Sequence, residues 1–354
     1  MDSSNLSAVV IDWHKDIDRN LPWKENASPY TIWVSEIILQ QTQVVQGLRY
    51  YKKFIDQYPT VQSLAATTEE VLLKAWEGLG YNSRARNLHK AAQRIVKDFG
   101  GNFPERFDDI LSLPGIGDYT ASAIASFAYE QPHVAVDSNV ERWVSRYYGI
   151  ALYKSSPQLK KEVKFLLQGS IEAHRSPSEC NQSYIDFGAL ICTAKSPKCT
   201  ECPLTQSCYA YAKQKISEFP KVKAKVPRKI RHFHYLVITS SGKVAINKRV
   251  QNDIWQEMYE FPLIETDELK EFTVSDIKNH FNISESIEII DIQSYEQTLT
   301  HRIIKGKFYL CNLSSQFVQC DQRMSIDDLD KFAFAGIVRL YIADNMFIFN
   351  DIKK

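Results

Sequence analysis

Apolar residues recur at helical spacing through the first part of the chain. In SPYTIWVSEIILQQT, Tyr30, Trp33, Val34, Ile37 and Ile38 fall at i, i+3, i+4, i+7 and i+8, one face of a helix. Ser28 is placed to cap that helix and Pro29 to fill its first position. Residues 84–99, RARNLHKAAQRIVKDF, repeat the pattern through Leu88, Ala91, Ala92, Ile95, Val96 and Phe99, with Gly100 as the stop. Residues 137–148 do so again through Val140, Trp143, Val144 and Tyr147. Strand-like alternation is almost absent up to residue 212. The lysine- and proline-rich KQKISEFPKVKAKVPRKIR then carries no apolar period and reads as an extended linker. Beyond it, HFHYLVIT, KVAINKR, SIEIIDI and KGKFYLCNL read as short strands, and KFAFAGIVRLYIADN as a helix. The pattern predicts a multidomain chain: an all-α domain over 1–212, a linker over 213–230 and an α/β domain over 231–354.

Composition agrees with a globular chain, at 354 residues and 44% hydrophobic content. No apolar stretch reaches the roughly 18 residues of a membrane helix. MDSSNLSAVVIDWHKDID lacks a basic start and an apolar run, so the expectation is neither a secretory signal nor a transit peptide. A cytoplasmic, bacterial, nucleoid-associated location is expected. Net charge is only +1, but residues 192–232 hold ten Lys/Arg and two acids, and residues 251–296 hold two Lys and twelve Asp/Glu. A basic stretch followed by an acidic one fits two domains with different partners, although solvated surface charge is its ordinary meaning.

Two clusters carry chemistry. LPGIGDYT (113–120) sits between two helical patterns, DDILSL and ASAIASFAY. Backbone N–H groups freed at such a turn, with the next helix N-terminus, make an anion site. It is neither a P-loop nor a dinucleotide fingerprint, since GxxxxGK[ST] and a third glycine are missing. Helix–LPGIG–helix is the pattern of a helix-hairpin-helix, which grips a DNA phosphate without reading sequence, and equally that of an ordinary αα corner; the turn alone does not separate them. The second cluster, CTAKSPKCTECPLTQSC, places Cys192, Cys199, Cys202 and Cys208 at C-x6-C-x2-C-x5-C. Four thiolates suit zinc or an iron–sulfur cluster, and spacing alone does not separate them. Cys180, Cys311 and Cys320 stand apart and read as ordinary buried residues.

The hairpin, Asp137 twenty residues past its second glycine and the cysteine spacing together resemble the endonuclease III-like DNA glycosylases. SEIILQQTQV (35–44), WEGLGYNSRARNLHKAAQ (76–93) and the appended second domain narrow the resemblance to the MutY-type adenine DNA glycosylases. The likeness is dense over 20–210 and thinner from 230 onward. It implies a helical glycosylase domain with a 4Fe–4S cluster on the four cysteines, followed by a Nudix-like domain. It implies excision of adenine opposite 8-oxoguanine or guanine in double-stranded DNA, by a monomer that flips the base out.

The resemblance also assigns residues. Glu36 is the acid that protonates adenine, and Asp137 the carboxylate facing the deoxyribose; without it, Glu36 reads as a surface glutamate and Asp137 as a helix cap. Tyr119 stands where strand-cutting relatives carry a lysine that attacks the sugar, which implies a monofunctional enzyme. Gly115 and Gly117 form the hairpin. Gln41 and Tyr81 wedge into the opened duplex, and Leu21, Trp23, Lys24 and Gln182 match pocket or duplex positions. Lys24 departs from the usual arginine, and Asn82 from an aromatic or small residue. The second domain lacks the box GX5EX7REUXEEXGU, so no pyrophosphatase activity is expected. Its loop QTLTHRI puts Thr300 and His301 where the family recognises 8-oxoguanine. Packing and surface roles are the ordinary meaning of each of these residues. A bifunctional pyrimidine glycosylase, a non-catalytic damage binder and a Nudix hydrolase are the competing readings. Tyr119 and the extra domain oppose the first. Retention of Glu36 and Asp137 opposes the second, and the missing box the third.

Overall fold

The structure, a computed structural model, describes residues 3–17, 21–25, 27–268, 270–283, 286–313 and 320–352. The chain divides into two compact units, Met1–Ala66 with Asn87–Lys225, and Thr67–Arg86 with Val226–Lys354. The first is helical. Helix Pro29–Leu39 starts where the pattern placed it, on a capping box: Ser28 Oγ accepts from Thr31 N at 3.1 Å and Thr31 Oγ1 from Ser28 N at 2.9 Å. Its stripe Tyr30, Trp33, Val34, Ile37 and Ile38 is buried. Helices Ser83–Asp98 and Ser138–Tyr148 fill the other two patterned stretches. The core of this unit joins Leu6 and Val10 to Val140, Trp143 and Val144, and to Leu159, Val163, Tyr184 and Phe187.

Among its described residues the second unit has seven strands: β1 Lys229–Ser240, β2 Lys243–Lys248, β3 Tyr259–Glu260, β4 Leu263–Thr266, β5 Ile287–Thr298, β6 Arg302–Leu313 and β7 Gln322–Ser325. Their order is β3-β2-β1-β6-β5, with β4 on β1 and β7 on β2. β1 and β6 run parallel, and the other pairs are antiparallel. β1 is apolar on both faces because both are covered. Phe233, Tyr235 and Val237 pack with helix Gly336–Asp344, while Leu236 and Ile238 pack with helix Val274–Phe281.

Three expectations shift. The strand begins at Lys229, two residues inside the expected linker, because Lys229 and Ile230 pair with Arg302 and Ile303. The last long helix begins at Gly336, not at Lys331, since residues 326–331 form a separate 3-10 turn. Residues 67–86, expected in the first domain, group with the second unit. Glu70 accepts the Tyr259 hydroxyl at 3.2 Å, Glu77 accepts from Phe334 N at 3.1 Å and Arg339 Nε at 3.0 Å, and Arg86 donates to the Gln256 carbonyl at 2.8 Å. No helix among the described residues is long and apolar enough to cross a membrane.

Candidate active site

Helix Pro29–Leu39 packs against helix Asp118–Tyr129, and that packing assembles the site. Glu36 follows the buried Ser35 at the edge of the apolar stripe and is itself half-buried. The Tyr119 hydroxyl donates to its carboxyl. Burial raises the Glu36 pKa to about 7, against the help of that donor, and the nearby charge of Asp137 adds to the rise. Burial first, then the two carboxyls, pushes the Tyr119 pKa well up. Tyr119 therefore stays a neutral donor.

Asp137 is the N-cap of helix Ser138–Tyr148. Its Oδ1 accepts from Asn139 N and Val140 N, both at 2.8 Å, and its Oδ2 from Asn139 Nδ2 at 2.6 Å. Burial raises its pKa, while these donors and Arg142 pull the other way. The cap and the site residue expected at 137 are thus one carboxylate. Glu36 has one neutral donor named here and Asp137 has three, so a proton is held more readily at Glu36 and charge at Asp137.

The hairpin joins helix Phe107–Leu111 to helix Asp118–Tyr129. Gly115 has φ +76, and a Cβ there would lie 2.5 Å from Asn87 Cβ. Gly117 caps the following helix, and a Cβ there would meet open space. The two glycines do different jobs: one permits the turn, the other leaves the helix N-terminus approachable.

Gln41 and Tyr81 are exposed non-glycine residues at φ +59 and +49. Such backbone costs roughly 1–3 kcal/mol and persists only where the surroundings enforce it. Trp23 is buried edge-on against Tyr51, with ring centroids 5.2 Å apart. Leu21 is half-buried. Lys24 lies in the short helix Pro22–Glu25, and its side chain falls outside the described residues. Gln182 Nε2 donates to Asp186 Oδ2 at 2.8 Å, an oxygen that His14 Nε2 also meets at 3.0 Å. In the second unit the Tyr81 hydroxyl bonds Thr300 Oγ1, and Asn82 Nδ2 meets Met258 Sδ. Thr300 and His301 are exposed at the β5–β6 turn.

Sequence reasoning missed two arginines. Arg142 donates to the Cys192 carbonyl at 2.8 Å, to Asn139 Oδ1 at 2.9 Å and to the Gly188 carbonyl at 2.7 Å. A continuous path of bonds thus runs from Asp137 through Asn139 and Arg142 to the cysteine loop. Arg146, one turn on, donates to Cys192 Sγ at 3.4 Å and to the carbonyls of Thr193 at 2.7 Å and Ala194 at 3.0 Å. The available signal was their spacing, i and i+4 on a helix whose other face is apolar.

Cys192, Cys199, Cys202 and Cys208 line one small cavity with Arg146, Ile191, Pro197 and Thr205. Burial, reinforced by the neighbouring cysteines, raises the Cys199 and Cys208 thiol pKa values, and burial takes Cys202 to about 11. Clustered thiols that resist ionisation alone suit a cationic metal core that stabilises thiolates.

Comparison with known proteins agrees with this geometry. Residues 34–168 match the HhH-GPD superfamily of base excision DNA repair proteins, 192–208 the iron–sulfur binding domain of endonuclease III, and 234–344 the NUDIX domain. A thermostable thymine-DNA glycosylase superposes with TM-score 0.54 at 27% identity, over 60% of this chain and 97% of that one. Endonuclease III in a non-covalent DNA complex does so with TM-score 0.52 at 25% identity, over 60% and 98%. The helical unit is therefore that of a DNA N-glycosylase. The adenine DNA glycosylase of Buchnera aphidicola from Acyrthosiphon pisum is 36% identical over 285 residues, 80% of this chain and 81% of that protein. The human adenine DNA glycosylase is 37% identical over 210 residues, 57% of this chain and 38% of that protein. The chain belongs to the adenine DNA glycosylase family, and its cysteine loop carries the iron–sulfur cluster of that fold.

Cys199→Ser removes one thiolate from the cavity. The variant is expected to lose most of its iron and its visible absorbance, with order lost in residues 192–208, because metal binding and local folding are coupled. Elemental analysis of the parent protein checks the cofactor: about four iron atoms per chain are expected, and zinc without iron would overturn it.

Proposed function

We propose that this chain excises adenine opposite 8-oxoguanine or guanine from double-stranded DNA as a monomeric, monofunctional glycosylase. The feature that supports it most is the Glu36 carboxyl, set beside Tyr119 and Asp137 with its pKa raised by burial to about 7, so that a large share of it carries a proton near neutral pH. Adenine is a poor leaving group as an anion. Glu36 delivers a proton to a ring nitrogen of the flipped base, so the base departs neutral. Positive charge then grows on the deoxyribose, and Asp137, fixed by three donors, stabilises it. Tyr119 keeps Glu36 oriented. Water adds to C1′ as the base leaves and gives its proton to solvent; a phenol forms no imine with the sugar, so the product is an abasic site in an uncut strand. Gly115 and Gly117 seat a backbone phosphate, Gln41 and Tyr81 fill the gap in the duplex, and Leu21, Trp23, Lys24 and Gln182 belong to the base pocket or its DNA contacts.

The pH dependence follows from the acid. Glu36 acts when protonated, so the single-turnover rate falls about tenfold per unit above pH about 7; below it the rate is level until Asp137, whose pKa burial also raises, gains a proton and the rate falls again. A level profile from pH 6 to 9 would remove Glu36 from the proton-transfer role.

Recognition of the opposite base is placed on Thr300 and His301. 8-Oxoguanine differs from guanine by an N7 hydrogen and an 8-oxo group, an edge that polar side chains can read. One or two hydrogen bonds to it contribute roughly 1–3 kcal/mol, about one to two powers of ten. Thr300→Ala with His301→Ala is therefore expected to cut the preference for 8-oxoguanine over guanine by that factor. Single-turnover rates on the two duplexes measure it, and an unchanged ratio would place recognition elsewhere. Point substitution tests this better than deleting residues 226–354, because 67–86 would lose their partners with the deleted part.

A further inference from the structure

The turn that carries Thr300 and His301 is held from several sides. Leu299 N donates to the Arg302 carbonyl at 2.8 Å and closes it. Lys229 N donates to the His301 carbonyl at 3.2 Å, and Arg228 Nε to the Thr300 carbonyl at 3.3 Å. The main chain is thereby fixed while both side chains stay exposed. The remaining anchor is Arg302, whose Nη1 donates to Asp253 Oδ1 at 2.7 Å.

Asp253 is the centre of a charge knot. Its Oδ2 meets Arg231 Nη1 at 2.7 Å and Arg249 Nη2 at 3.4 Å. Arg231 is fixed in turn by Glu265, with two contacts of 2.6 Å, and Arg249 by Glu260 at 2.7 and 2.8 Å. Burial works to raise the Asp253 pKa, but the Arg302, Ile254 N–H and Arg231 donors outweigh it and hold it at about 2. The carboxylate therefore stays charged at every working pH. Its loop continues to the other partner of Thr300. Three residues on, Gln256 accepts both Arg86 donors, at 2.8 Å through its carbonyl and 3.1 Å through Oε1, and Met258 meets Asn82. Asn82 follows Tyr81 directly and Arg86 lies at the start of the next helix, and Tyr81 bonds Thr300. Trp255 and Glu257 hold φ +60 and +67 within this loop, a conformation that side chains rarely adopt.

We infer that Asp253 is a positioning residue for recognition of the opposite base: its loop brackets the Tyr81 turn at one end and, through Arg302, the Thr300–His301 turn at the other. The inference rests on the recognition role proposed for Thr300 and His301. It also gives Asn82 a purpose, since an amide reaches Met258 from this position.

The test uses full-length protein with its cluster. Single-turnover rates are measured opposite 8-oxoguanine and opposite guanine for Asp253→Asn, Arg302→Ala, Arg302→Lys, Thr300→Ala and the double variant Asp253→Asn with Thr300→Ala. Asp253→Asn and Arg302→Ala are expected to lower the ratio of the two rates about five- to tenfold, with the guanine rate within about twofold of the parent. Arg302→Lys should recover part of the ratio, as a cation without the planar fork. Adding Thr300→Ala to Asp253→Asn should cost little more, because coupled residues are not additive. If Asp253→Asn does not fold, Arg302→Ala, whose side chain is 37% exposed, decides alone. A lowered ratio for Thr300→Ala beside a parental ratio for Arg302→Ala would overturn the positioning role and spare the recognition role. A parental ratio for Thr300→Ala with His301→Ala would remove both.

Discussion

Glu36→Gln is expected to bind the mismatch as tightly as the parent protein and to release adenine about a hundred- to ten-thousand-fold more slowly. That range is the usual worth of a positioned general acid. The amide keeps the size of the carboxylic acid and still accepts the Tyr119 hydroxyl, but has no proton to give at neutral pH. Burial sets the requirement: a carboxyl with a pKa of about 7 is still about half protonated at neutral pH, where an exposed glutamate is almost fully ionised. Affinity measured by electrophoretic shift and rate measured under single turnover separate the two effects. A parental rate in the variant would remove Glu36 from the chemistry. Equal losses of rate and affinity would assign it to binding instead.

The second large effect belongs to Asp137. Asp137→Asn keeps the cap, because asparagine caps a helix about as well as aspartate. Its oxygen can still accept from Asn139 N and Val140 N. The new amide nitrogen faces Asn139 Nδ2 and forfeits that one bond, so the fold should persist and the melting temperature fall only modestly. What is lost is the negative charge that the proposed mechanism sets against the sugar, and charge stabilisation of this kind is worth about 10²–10³ in rate. The expected signature is a rate drop of that size at near-parental stability and DNA affinity. A large fall in melting temperature with a proportionate fall in rate would mark Asp137 as a cap alone. Substitution to alanine would not make the distinction, since cap and charge would go together.

Much of this molecule was legible where the controlling physics is local. The start of helix Pro29–Leu39 is written in Ser28, Pro29 and Thr31, all within one turn, and its buried face in residues three and four apart. The two-sided burial of β1 follows from the apolar run Tyr235–Ile238. Glu36 was visible only as a carboxyl at the edge of an apolar stripe. Its partner Tyr119 lies 83 positions away, and only the packing of two helices joins them. Arg142 and Arg146 escaped notice because their partners are mostly backbone carbonyls of the cysteine loop, which leave no mark in side-chain pattern. The membership of residues 67–86 was hidden by distance along the chain: Glu70, Glu77 and Arg86 look like solvated helix charges until their partners Tyr259, Arg339 and Gln256 are known. One element was readable and missed. Thr273 and Asp276 spell a capping box before helix Val274–Phe281.

The proposed activity is one reaction, release of adenine by acid-assisted cleavage without cutting the strand. Its most direct measurement incubates the purified protein with three end-labelled duplexes, carrying adenine opposite 8-oxoguanine, adenine opposite thymine, and uracil opposite guanine. Strand scission is scored with and without alkali. Breaks should appear only in the first duplex and only after alkali, because Tyr119 leaves an uncut abasic site. Scission of the first duplex without alkali, with a covalent adduct trapped by borohydride, would contradict the monofunctional mechanism. Processing of the uracil duplex in its place would contradict the assignment of adenine as the base removed.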